Sequence, residues 1–128
     1  MLNHFTIPSK SFNGPVLITG AGGCIGAWTI AMLLKANIEV IACDLTNNKK
    51  RPELLIEHTE LSKVPWIEGD ISNTESVLSS VEKYKPESII HLAALQVPFC
   101  AADPSAGAKV NVVGTVNIME AARQNSIK

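Results

Sequence analysis

A short apolar run, Val16-Leu17-Ile18-Thr19, leads straight into Gly20-Ala21-Gly22-Gly23-Cys24-Ile25-Gly26, and a long apolar stretch follows. This juncture restricts the fold more than any other feature of the chain. A brief run with β-branched residues, set between Pro15 and glycines, reads as a buried strand. From Cys24 to Ala36 the residues Ile25, Trp28, Ile30, Ala31, Met32, Leu33 and Leu34 make a stretch apolar almost all round, the pattern of a helix covered on most sides.

The rest of the chain continues the alternation. Ile38 to Cys43 is a second strand closed by Asp44, and Glu53 to Glu60 is expected to hold a short helix. Pro65 to Glu68 is a third strand ending at Gly69-Asp70. Ser72 with Glu75 has capping-box spacing, so a helix is expected from there to Tyr84, carrying Val77, Leu78 and Val81 on one face and stopped by Pro86. Ser88 to Leu92 is a fourth strand. After a loop from Leu95 to Pro104, a long helix is expected from about Ser105 to Gln124. Strands alternating with helices imply crossover connections and a parallel sheet. The expected fold is α/β: a Rossmann-type three-layer parallel sheet, truncated after the fourth strand and its helix. Residues 1–14 read as an irregular, loose lead-in and 15–128 as one partial domain, which suits a length of 128 residues.

The glycine turn carries the chemistry. Binding a diphosphate requires close backbone approach, free N–H groups and a helix N-terminus aimed at the anion. Gly20 would make the tight turn, Gly23 would let phosphate approach, and Gly26 would let helix pack against strand. Asp44, at the end of the second strand, lies 18 residues after Gly26 (44 − 26), close to the ~20 expected of a ribose-binding acid. A carboxylate there accepts from ribose hydroxyls and repels a 2′-phosphate, favouring NAD over NADP. Lys49-Lys50-Arg51 is the counter-indication, although such a run is more often a solvated loop. A P-loop would need Gly-Lys-Ser/Thr closing the turn, whereas Gly26 is followed by Ala27-Trp28.

Composition narrows the partners. With a net charge of −1, nothing suggests a nucleic-acid or anionic-membrane surface. No apolar run approaches the roughly 18 residues needed to span a bilayer, and Met1 to Gly14 has no signal-peptide pattern. A soluble, cytoplasmic protein is expected. Cys24, Cys43 and Cys100 have no metal-binding spacing and read as buried or half-buried thiols, so no metal site is expected. His91, in a buried strand, reads as structural.

Four motifs occur in order: the Thr-led Gly20-x-x-Gly23-x-x-Gly26, Gly69-Asp70-Ile71, His91-Leu92-Ala93-Ala94, and Asn111-Val112-Val113-Gly114-Thr115-Val116-Asn117. Together they resemble the extended short-chain dehydrogenase/reductases, the NAD-dependent epimerase/dehydratase family, over residues 15 to about 125. The resemblance implies that Gly20, Gly23, Cys24, Ile25 and Gly26 surround the pyrophosphate and that Asp44 holds the adenosine ribose. It implies that Asp70 and Ile71 meet the adenine, and that Leu92, Ala93 and Ala94 line the path of the cofactor. Asn111 would help fix active-site geometry, unless it merely bonds neighbouring main chain. Gln96 would sit where relatives receive substrate. The implied substrate is a small molecule such as a nucleotide sugar, handled by a homodimer of the full-length protein.

The family's catalytic Ser/Thr and Tyr-x-x-x-Lys are not in this sequence. The only tyrosine, Tyr84, is followed by Lys85-Pro86-Glu87-Ser88. A fragment without a complete active site is therefore expected, with an apolar fourth strand left at an open edge of a 3-2-1-4 sheet. Two functions stay open: part of an oxidoreductase or epimerase, or a non-catalytic NAD(P)-binding sensor or scaffold.

Overall fold

The computed structural model describes residues 6–127. The first five residues of the expected lead-in, and Lys128, lie outside the described residues. In chain order the elements are β1 (Val16–Thr19), α1 (Cys24–Lys35), β2 (Val40–Asp44), α2 (His58–Leu61), β3 (Trp66–Glu68), α3 (Thr74–Tyr84), β4 (Ser88–His91), α4 (Val97–Ala102), α5 (Pro104–Ala108) and α6 (Thr115–Gln124). A π-helical stretch, Lys109–Gly114, joins α5 to α6 with helical backbone at both junctions.

All strands are parallel, in the order β3-β2-β1-β4. Val16 pairs with Val40 on one side and Ser88 on the other, and Thr19 pairs with Cys43 and His91. Side chains alternate across a strand, so each central strand feeds two cores. Val16, Ile18, Val40 and Ala42 face Ile30, Ala31 and Leu33 of α1. Leu17, Ile41 and Cys43 face Val77 and Val81 of α3 and Ile118 and Ala121 of α6. This is the three-layer arrangement that continuous apolar strands require.

Several local expectations change. The N-cap of α3 is Asn73, whose side chain accepts from Ser76 N at 3.0 Å. Ser72 does not form the expected capping box, because its hydroxyl donates to Asp70 Oδ1 at 2.7 Å. The expected helix over 53–60 is split into a 3-10 turn at Pro52–Leu54 and α2. The expected loop over 95–104 contains α4. The last helix starts one residue earlier than expected, at Pro104, where Asp103 caps it by accepting from Ala106 N at 3.0 Å. The lead-in is not wholly loose, since Ile7 and Phe12 pack on the first core. Ile25 and Trp28 of α1 are exposed, so that helix is covered on one side rather than on most. Cys24 is exposed, not buried, because it stands at the open start of α1.

Candidate functional site

The carboxyl ends of the four strands meet around the glycine turn, and on either side of β1 the chain runs in opposite directions to reach β2 and β4. In open α/β sheets that is where ligands bind. A cleft of about 570 Å³ opens there. The turn residues Gly20, Gly23, Cys24, Ile25 and Gly26 line it, with Asp44 at the end of β2, Asp70 and Ile71 beyond β3, and Leu92, Ala93, Ala94 and Gln96 beyond β4. Positions spread over 77 residues of sequence (96 − 20 + 1) thus share one concavity.

Of the three glycines in the Gly20-x-x-Gly23-x-x-Gly26 spacing, the turn demands glycine at two. Gly20 has φ +71°, and a Cβ there would lie 2.8 Å from Ala93 N, so the turn and the exit of β4 are pressed together. A Cβ on Gly26 would overlap Gly20 O and come within 2.9 Å of Ala21 Cα. Gly23 is freer: a Cβ there would meet only Gly20 O, at 3.1 Å.

The turn's amides divide into two sets. Ala21 N donates to Cys43 O at 3.1 Å, Gly22 N to Asp44 Oδ2 at 2.8 Å, and Gly23 N to Gly20 O at 3.0 Å. These three hold the turn itself. The helical ladder begins with Ala27 N to Gly23 O at 2.9 Å. The amides of Cys24, Ile25 and Gly26 therefore precede it and have no intrahelical acceptor. The N-cap, Gly23, offers no side-chain cap. These are the N–H groups that, with the positive end of the α1 dipole, face the cleft.

Asp44 is held by two backbone donors, Gly22 N on Oδ2 at 2.8 Å and Leu45 N on Oδ1 at 2.7 Å. Across from it, Arg51 Nη1 donates to Gly22 O at 3.1 Å. Gly22 is thus held at both of its backbone groups, the N–H by an acid and the C=O by a base. Of the basic run, only Arg51 lines the cleft. Lys49 Nζ sits 5.2 Å from the centre of the Trp66 ring. Asp70 Oδ1 accepts from Ser72 N at 2.8 Å and from Ser72 Oγ at 2.7 Å. These bonds hold the exposed carboxyl below the usual carboxylate range.

Asn111 stands behind the cleft wall rather than on it. Its Oδ1 accepts from Leu95 N at 2.7 Å and its Nδ2 donates to Leu95 O at 2.9 Å. The amide thus makes the neighbouring main-chain contact, and in doing so fixes the segment that carries Gln96. Tyr84 ends α3, away from the cleft, with Lys83 Nζ 4.9 Å from its ring centre. Cys43, on the cleft floor, has its thiol pushed up to about 11 by burial and by the neighbouring Asp44 charge.

Motif spacing missed Gly22, Thr46, Asn48, Leu95 and Val110, all of which line the cleft. Gly22 lies outside the three-residue glycine spacing, yet a Cβ there would lie 2.8 Å from Asn48 O. Only the folded loop after β2 creates that constraint.

Residues 17–128 match the GDP-mannose 4,6 dehydratase family. The chain is 35% identical over 115 residues to a UDP-glucose 4-epimerase of Klebsiella pneumoniae, covering 88% of this chain and 83% of that protein. It is 33% identical over 110 residues to CDP-paratose 2-epimerase of Salmonella typhi, covering 85% of this chain and 32% of the relative. The crystal structure of a Thermus thermophilus UDP-glucose 4-epimerase in complex with NAD is similar at a TM-score of 0.75 and 28% identity, over 89% of this chain and 35% of that one. Fold and cleft together define a Rossmann-type α/β protein of the epimerase/dehydratase kind. More narrowly, the chain belongs to the GDP-mannose 4,6 dehydratase family. It spans about a third of the length of the Salmonella relative and of the Thermus structure.

Proposed function

We propose that this chain is the NAD-binding portion of an NAD-dependent epimerase/dehydratase-like oxidoreductase, which acts on a nucleotide sugar or another hydroxyl/keto substrate by hydride transfer. The observation that carries this reading is the set of amides at Cys24, Ile25 and Gly26, without an acceptor among the described residues and opening into a cleft whose far side carries the anchored Asp44. The cleft volume of about 570 Å³ lies in the usual range for cofactor sites. The fit of the residues to a dinucleotide is chemical as well as spatial. The amides suit a diphosphate, and a carboxylate held by two N–H groups keeps its remaining lone pairs for ribose hydroxyls. Ile71, Leu92, Ala93 and Ala94 give apolar, mostly small walls, and Asp70 lies beside Ile71 for the adenine edge. NAD, when bound, supplies a hydride acceptor. The residues here bind and orient it. Asp44 disfavours the 2′-phosphate of NADP.

On the substrate side, Asn111 acts through Leu95, and Gln96 stands on the rim to contact substrate. The three cysteines, unpaired in the structure, suit a reducing, cytoplasmic setting. A homodimer of the full-length protein belongs to the same reading, supported by the exposed apolar residues Val112 on the π-helical stretch and Val116 and Met119 on the helix that continues it. The alternative, a non-catalytic NAD(P)-binding sensor or scaffold, has one observation in its favour: Tyr84, the chain's single tyrosine, lies off the cleft.

The test is an NAD titration of the chain followed by amide chemical shifts, with alkylation of the exposed Cys24 read in parallel by mass spectrometry. The amides of Cys24, Ile25 and Gly26 should shift together, and NAD should protect Cys24. Shifts confined to residues outside the turn, with Cys24 unprotected, would end the proposal.

A further inference from the structure

The half-buried His91 at the end of β4 is hydrogen-bonded on both ring nitrogens. Its Nδ1 lies 2.6 Å from Thr19 Oγ1, and its Nε2 lies 3.2 Å from Thr115 Oγ1. The partners decide where the imidazole proton sits. Thr115 Oγ1 donates its single proton to Asn111 O at 2.8 Å. Toward His91 it can only accept, so Nε2 carries the hydrogen. Burial lowers the pKa of His91 from its ordinary 6.5, which leaves the ring neutral at pH 7 and Nδ1 bare. Nδ1 therefore accepts the proton of the Thr19 hydroxyl.

That arrangement frees both lone pairs of Thr19 Oγ1, and two amides use them: Leu92 N at 3.1 Å, which it shares with Thr19 O at 3.2 Å, and Ala93 N at 3.3 Å, for which the hydroxyl is the acceptor. Thr19 is 1% exposed, so no water substitutes for these partners. Ala93 N is the atom that a side chain on Gly20 would strike at 2.8 Å. The hydroxyl thus sets how closely the exit of β4 lies against the glycine turn. Through Thr115 and Asn111 O, the same chain of bonds reaches the π-helical stretch.

We propose that His91 is a positioning residue for the dinucleotide cleft: as the neutral Nε2–H tautomer it orients the Thr19 hydroxyl, which holds the Leu92–Ala93 wall against Gly20, and it ties that wall to the final helix. The proposal rests on the reading of the cleft as a dinucleotide site. A packing role would need only the volume of the ring, whereas this role needs an acceptor at Nδ1 and a donor at Nε2.

Nitrogen NMR of the wild-type imidazole, together with NAD titration of His91→Leu, His91→Asn and Thr19→Val, tests it. The ring should report the neutral Nε2–H tautomer at pH 7. His91→Leu and Thr19→Val should each weaken NAD binding about tenfold, the scale of one lost net hydrogen bond. His91→Asn, whose carbonyl oxygen can accept from Thr19, should stay within about threefold of wild type, a partial recovery of that bond. The Nδ1–H tautomer, a charged ring at pH 7, or equal losses for Leu and Asn would overturn the proposal. The tautomer measurement needs only the wild-type chain and stands even where a variant fails to fold. Absence of NAD binding by the wild-type chain would instead overturn the cleft reading and this proposal with it, whereas binding with the other tautomer overturns this proposal alone.

Discussion

At the scale of residues, the site depends on which polar groups are already committed. Asp44 bonds the turn that it faces, so its carboxylate is both a structural clamp and the candidate ribose acceptor. Asp44→Ala should weaken NAD binding by roughly ten- to a hundredfold, the range for hydrogen bonds to a charged group, while NADP binding falls much less. Calorimetry with both nucleotides checks this, and equal losses would remove Asp44 from cofactor selection. His91 makes a prediction about acid. Its folded-state pKa is depressed below 6.5 by burial, so as pH falls the unfolded chain takes up the proton first. Stability should hold above the ordinary pKa, fall as pH drops below about 6.5, and stop falling on this account once the folded ring is protonated too. Denaturant melts from pH 7.5 down to 5, compared with His91→Asn, should show a steeper decline for wild type. A parallel decline would remove His91 from the pH dependence.

At the scale of elements, spacing rules placed the strands and long helices to within a few residues but misassigned the caps. Ser72 and Glu75 have capping-box spacing, yet Asp70 captures the Ser72 hydroxyl and the backbone starts α3 one residue later, on Asn73. Removing the true cap should cost about 1 kcal/mol. Asn73→Ala should therefore lower the unfolding free energy by about that amount, and Ser72→Ala by less. Urea melts giving the reverse order would restore the box. The final helix makes a related point. Its apolar periodicity is legible, but periodicity carries no sign that Lys109–Gly114 widens to a π turn. The turn lies where Asn111 bonds both backbone groups of Leu95, and a π bulge commonly marks a functional position.

At the scale of the whole molecule, β4 is an edge strand: β1 pairs with it on one side, and nothing pairs on the other among the described residues. Its four residues are only half-buried, and Val112, Val116 and Met119 stay exposed on the helix beyond. An unpaired apolar edge recruits another strand or chain. The cleft also lacks any tyrosine to move a proton. The chain alone should bind NAD yet show no detectable reduction of it with nucleotide sugars, read by absorbance at 340 nm. Clear turnover would show that the active site is complete within these residues.

Taken by itself, the sequence determined the strand–helix alternation, the glycine turn, the acid closing β2 and the four-motif resemblance. Each of these is a local matter of apolar period, backbone freedom or spacing, and neighbours along the chain suffice to specify it. Only the tertiary structure decided which turn amides are consumed by Cys43 and Asp44 and which remain for a ligand, that Arg51 rather than Lys49 reaches Gly22, and that His91 lies between Thr19 and Thr115. Those pairings join residues 22 to 72 positions apart. A hydrogen bond forms between groups that folding brings within about 3 Å of each other, and no period or propensity encodes that distance.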